Sequence, residues 1–133
     1  MCGIFSFLQH KLNAYELGLL KDAFMKGRNR GPEHSAFQEV FKHIYFGFHR
    51  LAINGLDTAS NQPISKEGII VICNGEIYNY KQLIKENNIV MTTNSDCEVI
   101  IDMYLTYGFE YAVQSLDGVF AINLLDMRNP DAP

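Results

Sequence analysis

The chain has 133 residues, of which 47% are hydrophobic and 20% are charged, as expected for one globular domain. A formal net charge of −4 and the absence of a Lys/Arg run argue against nucleic acid or an anionic membrane as a partner. No apolar stretch approaches the ~20 residues that span a bilayer, and the N-terminus lacks the basic segment of a signal peptide. We therefore expect a cytoplasmic protein with three reduced cysteines, whose spacing does not fit a zinc site.

The first half of the chain predicts three strands and one helix. Residues 3–8 are apolar and β-prone and predict a buried strand. Residues 14–26 carry apolar side chains at near-helical spacing and predict an amphipathic helix. Residues 35–41 and 43–53 predict two strands that pair antiparallel across a turn near Lys42.

The second half begins with a loop at residues 54–67, which are rich in turn-forming residues, and a buried strand at 68–74. Three helices are predicted next, at 79–87, 95–107 and 109–115. A last strand is predicted at 118–126. This order of strands and helices indicates an α+β fold with antiparallel sheets.

The end of the sequence carries turn chemistry. Residues 126–133 read Asp-Met-Arg-Asn-Pro-Asp-Ala-Pro directly after an apolar strand, and such a turn usually leads into a partner strand. We therefore expect that the C-terminal part of the fold is missing and that residues 118–126 form an exposed sheet edge.

Cys2 is the first candidate for chemistry. Removal of Met1 would leave a thiol and a free α-amine on one residue, with reference pKa values of ~8.5 and ~7.7–8.0, so the amine can take the thiol proton. This is the N-terminal nucleophile form of covalent catalysis. The alternative is a small buried residue at the start of a strand.

Asn74 and Gly75 follow a buried strand and are candidates for an oxyanion hole. An Asn side-chain amide and a Gly backbone N–H can both donate to a developing oxyanion. The alternative is an ordinary Asn-Gly hairpin turn.

Arg50 is a candidate ligand for a carboxylate. It ends a strand of aromatic and aliphatic residues, and a bidentate grip on a carboxylate suits its guanidinium. The alternative is a surface salt bridge. His49 alternates with Arg50 and is expected to be structural, on the other face of its sheet.

Asp96 and Glu98 fall in the first turn of a predicted helix, where negative charge complements the helix dipole. Ser95 and Glu98 have the spacing of a capping box. The functional interpretation assigns Asp96 to a substrate ammonium and leaves Glu98 as the cap. Cys97 and Cys73 are expected to be core thiols.

An arginine, a carboxylate, oxyanion donors and an N-terminal thiol together match the carboxylate, amine and side-chain amide of glutamine. In this order the residues resemble the glutaminase domain of class II glutamine amidotransferases, and most closely the branch of glutamine-dependent asparagine synthetases. The matching segments are Cys2-Gly3-Ile4-Phe5, Arg30-Gly31-Pro32-Glu33-His34-Ser35, His49-Arg50-Leu51-Ala52-Ile53, Asn61-Gln62-Pro63-Ile64, Asn74-Gly75-Glu76-Ile77-Tyr78-Asn79, Ser95-Asp96-Cys97-Glu98-Val99-Ile100 and Leu116-Asp117-Gly118-Val119-Phe120-Ala121.

The resemblance implies an N-terminal nucleophile hydrolase fold, a four-layer αββα sandwich. It implies that Cys2 attacks the side-chain amide of L-glutamine, releases ammonia and forms a glutamyl thioester that water hydrolyses. Carried over by position, the substrate site comprises Arg50 for the α-carboxylate, Glu76 and Asp96 for the α-amino group, Asn74 and Gly75 for the oxyanion, and Leu51, Ala52, Ile53 and Asn54 as pocket wall. The Arg30-Gly31-Pro32 loop would support the nucleophile.

The resemblance also implies partners. The glutaminase domain itself needs no cofactor or metal, whereas ATP and Mg²⁺ belong to a synthetase domain that accepts the ammonia and that this sequence lacks. A homodimer stays open. Glu33 departs from the Asp that the family has after Arg-Gly-Pro. Three alternatives remain: a non-catalytic remnant that binds glutamine or a partner, the glutaminase domain of another class II enzyme, and a redox or metal-binding cysteine protein.

Overall fold

The computed structural model describes residues 2–8, 11–129 and 131. It contains six strands and four helices in these ranges: β1 Gly3–Leu8, α1 Ala14–Met25, β2 His34–Phe41, β3 Ile44–Arg50, β4 Ile64–Lys66, β5 Ile69–Ile77, α2 Tyr80–Asn87, α3 Val99–Tyr107, α4 Phe109–Ser115 and β6 Gly118–Asp126. Short 3₁₀ segments occupy Arg28–Arg30, Thr58–Ser60 and Asp96–Glu98. The predicted C-terminal turn includes Pro130, Ala132 and Pro133, which lie outside the described residues.

The strands form two antiparallel three-stranded sheets. Sheet 1 has the order β1-β3-β2, and sheet 2 has the order β4-β5-β6. The alternation of β3 sends Phe46 and Phe48 toward Ile70 and Ile72 of β5, where they form the core between the sheets. The two sheets therefore pack face to face.

Helices cover both outer faces. On sheet 1, the Phe24 ring of α1 stacks on His49 at a centroid distance of 4.0 Å and contacts Phe5 edge-on. Gly47 leaves room for this ring, because a Cβ there would lie 2.6 Å from it. On sheet 2, Val71 and Ile77 pack into a second core with helices α2 to α4. The layers run α, β, β, α, which matches the sandwich that the resemblance implies.

The structure corrects three predicted element bounds. β3 ends at Arg50 rather than at residue 53, because the backbone of Leu51 and Ala52 bonds to Cys2 and Glu33 and leaves the sheet. β4 lies inside the predicted loop 54–67. β5 extends through Asn74 and Gly75 to Ile77, because β6 pairs with it along its whole length, so the Asn-Gly pair is not a turn.

The predicted capping box at Ser95 is only half formed. The Ser95 side chain accepts a hydrogen bond from the Cys97 N–H at 3.3 Å, as a cap does. The Glu98 side chain does not complete the box by accepting from the Ser95 N–H. Its carboxylate instead accepts hydrogen bonds from the backbone N–H and hydroxyl groups of Thr92 and Thr93 at 2.7–2.9 Å. Glu98 therefore holds the loop before the helix instead of closing the box.

β6 is one of the two edge strands of sheet 2 among the described residues, as expected for residues 118–126. Val119 on this strand is 61% exposed. In the part of the chain that the structure describes, no helix has the length and apolar character to cross a membrane.

Candidate active site

A cavity of about 240 Å³ lies where β5, the segment after β3 and the start of the Asp96–Glu98 turn meet. It is smaller than the ~300–1,000 Å³ usual for drug-sized ligands, which suits a ligand of amino-acid size. Nine of the ten predicted site residues line it: Cys2, Arg50, Leu51, Ala52, Ile53, Asn54, Gly75, Glu76 and Asp96. The exposed side chains of Ile53, Tyr78 and Val119 mark its mouth.

Cys2 lies at one wall of this cavity, just before β1. The Leu51 N–H donates to its Sγ, and the Sγ–H reaches the Leu51 carbonyl oxygen, both at 3.4 Å. The Leu51 backbone thus contacts the thiol through both its N–H and its carbonyl oxygen. The predicted loss of Met1 concerns a residue outside the described ranges.

Arg50 is 92% buried, yet it has no acidic partner. Its Nη1 donates to the Asp57 carbonyl oxygen at 2.9 Å and to Asn61 Oδ1 at 2.5 Å, and its Nη2 donates to the Gly55 carbonyl oxygen. No Asp or Glu of residues 2–8, 11–129 and 131 makes an ion pair with it. The guanidinium is thus held in place by neutral oxygens, and its positive charge has no counter-ion among the described residues.

Asp96 supplies negative charge to the same cavity. Its Oδ2 accepts a hydrogen bond from the Ile77 N–H at 2.7 Å, and the nearby Asn54 side chain lowers the pKa of this carboxyl. Burial raises the pKa of Asp96 above its ordinary value, and the nearby Glu76 adds to this rise, while the backbone N–H groups of Ile77 and Asp96 and the Asn54 side chain oppose it. Two acidic side chains in one small cavity favour a cationic group in the ligand.

The neighbouring residues Gly75 and Asn74 line two different cavities. Gly75 lines the cavity, and a Cβ there would lie 2.1 Å from the Val119 carbonyl oxygen, so the approach of β6 requires glycine. Asn74 lines a second cavity of about 310 Å³, which Cys2 also borders. The Asn74 Oδ1 is buried without a hydrogen-bond partner. Cys2 therefore borders both cavities, with Gly75 in the wall of the first and Asn74 in the wall of the second.

His49 joins the strand beside Cys2 to helix α1. Its Nε2 lies 2.9 Å from the Phe24 carbonyl oxygen, and its Nδ1 lies 2.8 Å from the Ser35 Oγ. Because a carbonyl oxygen only accepts, Nε2 carries a proton. Both ring nitrogens are thus engaged within the protein, as the structural interpretation of His49 expects. Arg30 borders the second cavity with His49 and Cys2.

Glu33, the departure from the family pattern, supports the cavity wall. Its carboxylate accepts a hydrogen bond from the Ala52 N–H at 3.1 Å. The extra methylene relative to Asp therefore leaves a carboxylate that still reaches the segment after β3.

The sequence did not assign several residues that line the cavity. They are Phe48, Ser60, Gln62, Cys73, Tyr78, Ser95, Cys97 and Val119. Cys73 and Cys97 are buried as expected for core thiols, but they also reach the cavity wall, and a hydrogen bond with Cys73 together with burial raises the pKa of Cys97 well above its ordinary value. Gln62 belongs to the Asn61-Gln62-Pro63-Ile64 segment, which is one of the segments that resemble the family, but the resemblance assigns no role to this residue.

The αββα sandwich thus places a thiol, a buried arginine and two carboxylates around one small cavity. The family model described as "Glutamine amidotransferase domain" matches residues 1–132. The chain therefore belongs to the glutamine amidotransferase domain family.

Its relatives carry asparagine synthetase names. A protein of Acanthamoeba polyphaga mimivirus, named as a probable glutamine-hydrolyzing asparagine synthetase, is 37% identical over 133 residues, which cover 97% of this chain and 24% of that protein. The glutamine-hydrolyzing asparagine synthetase of Gallus gallus is 43% identical over 110 residues, 79% of this chain and 19% of that protein. The glutamine-hydrolyzing asparagine synthetase 1 of Saccharomyces cerevisiae is 37% identical over 131 residues, which cover 96% of this chain and 22% of that protein.

The chain thus spans less than a quarter of the length of these relatives. The similarity lies with their glutaminase domains, in agreement with the resemblance on the sequence motifs.

Proposed function

We propose that this domain hydrolyses L-glutamine to L-glutamate and ammonia through a glutamyl thioester on Cys2. One observation carries the proposal: the thiol of Cys2 and the buried guanidinium of Arg50, which has no acidic partner among the described residues, open into the same small cavity. A buried cation of this kind favours an anionic ligand. Asp96 and Glu76 in the same wall add the complement of an ammonium group.

In the proposed reaction, Arg50 binds the α-carboxylate, and Asp96 and Glu76 bind the α-ammonium. The α-amine of Cys2, free once Met1 is removed, takes the thiol proton, and Sγ attacks the side-chain amide carbon of glutamine. The Gly75 backbone N–H and the Asn74 amide are the proposed donors to the tetrahedral oxyanion. The amine then returns the proton to the amide nitrogen, the C–N bond breaks, and ammonia leaves a thioester on Cys2.

Hydrolysis completes the cycle. Water attacks the thioester carbon while the α-amine of Cys2 accepts a water proton. The C–S bond breaks, the proton returns to sulfur, and L-glutamate leaves. The fate of the ammonia belongs to the same proposal: the names of the relatives support its use in asparagine formation from aspartate by a synthetase domain or chain, with ATP and Mg²⁺ bound there.

Glutamate release by the purified chain tests the proposal. Intact mass first establishes whether Met1 is absent. Chain that lacks Met1 is expected to release glutamate steadily from L-glutamine, and Cys2→Ala is expected to abolish the release while a glutamine-dependent rise in Tm persists. A folded chain without Met1 that gains Tm from glutamine but releases none would instead favour a non-catalytic glutamine-binding domain.

A further inference from the structure

Gln62 has a fixed side-chain orientation. Its Oε1 accepts a hydrogen bond from the Cys73 backbone N–H at 2.6 Å, and the residue is 94% buried. Because a backbone N–H can only donate, the side-chain atom that faces it is the oxygen and not the nitrogen. The Nε2 of Gln62 is therefore the amide atom that does not face the Cys73 N–H.

The oxygen has a structural role. β4 pairs with β5 from Ile64 opposite Val71, so the antiparallel register places position 62 opposite Cys73, beyond the end of β4. The Gln62 side chain thus replaces the strand carbonyl that this N–H would otherwise meet.

The nitrogen has no such role. Gln62 lines the cavity with Cys2 and Arg50, and no residue in the described part of the chain accepts a hydrogen bond from its Nε2. Among the described residues, the Asn74 Oδ1 is the one fully buried side-chain polar atom without a partner, so the Gln62 Nε2 is within reach of solvent and can meet water or a ligand. The amide thus offers two donors to a ligand.

We propose that the Gln62 Nε2 is a second donor, beside Arg50, to the α-carboxylate of the ligand; this rests on the proposed glutaminase function. The α-ammonium of the ligand cannot be the partner, because an ammonium group only donates and cannot accept a hydrogen bond from Nε2. The side-chain carbonyl of glutamine would lie at Cys2 and Gly75. The preceding residue, Asn61, holds the Arg50 guanidinium at 2.5 Å, so the chain itself brings Gln62 to the carboxylate end of the cavity.

Alkylation of Cys2 by two electrophiles tests this assignment without turnover. One reagent is the diazoketone analogue of L-glutamine, which keeps the α-carboxylate and the α-amine; the other is the same diazoketone without the α-carboxylate. In both, Sγ forms a thioether to the diazo carbon, which gains a proton as N₂ leaves. In Gln62→Glu, which keeps the acceptor for Cys73 but loses the N–H donors, and in uncharged Gln62→Met, alkylation by the first reagent is expected to slow by roughly tenfold or more relative to the second.

The controls separate a binding role from a structural one. Gln38→Glu, the same change at an exposed position of β2, is expected to leave the ratio of the two rates unchanged. A Gln62→Glu chain that keeps the parent ratio would overturn the assignment even if Gln62→Met does not fold, because the loss of both N–H donors would then not affect the α-carboxylate. A parent chain that reacts no faster with the carboxylate-bearing reagent would instead overturn the proposed function itself, and the assignment with it.

Discussion

Arg50 donates from Nη1 to the Oδ1 of Asn61 at 2.5 Å, in a partly buried hydrogen bond. The partner is a neutral amide where a carboxylate of almost the same shape would fit. Asn61 therefore orients the guanidinium without neutralising it, and the positive charge remains directed at the cavity. The protein thus forgoes the Coulomb energy of an internal ion pair, and the charge of Arg50 remains free to attract an anionic ligand.

Asn61→Asp is expected to raise the KM for L-glutamine by roughly tenfold to a hundredfold, because an internal carboxylate would neutralise Arg50 and repel the substrate carboxylate. The free energy of unfolding should stay equal or increase. Steady-state kinetics and urea denaturation measure the two effects. Asn13→Asp is the matched control, since Asn13 is an exposed N-cap of α1 where Asn and Asp cap equally well. An unchanged KM in Asn61→Asp would contradict the assigned role of Arg50.

As the pH is lowered, the affinity for L-glutamine is expected to fall at a higher pH than it would if Asp96 had the pKa of an ordinary aspartate. Burial raises the pKa of Asp96, with Glu76 adding to the rise. For an acid, the charged form is lost as the pH falls through this raised value, and the attraction for the substrate ammonium is lost with it. The pH profile of KM measures this effect. Asp96→Asn should have a high KM already at neutral pH and lose this acid-side rise, whereas Asp22→Asn, on the exposed side of α1, should keep the parent profile.

Local periodicity was enough to predict most elements of the fold. β1, α1, α3 and β6 were predicted to within a residue or a few of their observed bounds, because their apolar patterns repeat within each segment. β5 was predicted too short, because Asn74-Gly75 is typical of turns and only the pairing with β6 keeps it extended. That pairing joins residues more than forty positions apart and leaves no local mark.

The site was predictable where a residue type has one strong chemical use. Arg50 and Asp96 stood out as charged residues beside apolar segments, and both line the cavity. Gln62 did not stand out, because its role depends on the N–H of Cys73, which the chain brings to it from the neighbouring strand. The place of Asn74 in the wall of the second cavity could not be predicted either, since it follows from the face of β5 on which each side chain lies.

Gly75→Ala is expected to destabilise the fold, independently of any catalytic effect. The added Cβ would lie 2.1 Å from the Val119 carbonyl oxygen and 2.5 Å from the Phe120 Cα, which are backbone atoms that cannot rotate away. Overpacking of this kind costs typically about 1–3 kcal/mol. Gly18→Ala provides the opposite control, because nothing lies within 4 Å of its added Cβ and alanine favours a helix by up to about 1 kcal/mol. Thermal unfolding of the two variants should therefore shift in opposite directions, and equal Tm values would contradict the close approach of β6.

Glu98→Gln is expected to lower the free energy of unfolding by about 2–4 kcal/mol at neutral pH. Glu98 is fully buried, and its carboxylate accepts four hydrogen bonds from Thr92 and Thr93 and contacts the Lys66 Nζ at 3.4 Å. An amide in its place turns one acceptor into a donor against these N–H and O–H groups and removes the ion pair.

The pH dependence gives this last prediction its sign. Burial alone would raise the pKa of Glu98, but the hydrogen bonds from Thr93 and Thr92 prevail and hold it below its ordinary value. The carboxylate therefore contributes stability above the unfolded pKa, and this contribution is lost as the pH falls through the lower folded value. Urea denaturation at a series of pH values should show the gap between the parent and Glu98→Gln closing toward acid pH. Glu86→Gln, at an exposed position of α2, should show no comparable gap, and a gap for Glu98→Gln that is constant across the acid range would show that its charge is not what holds the loop.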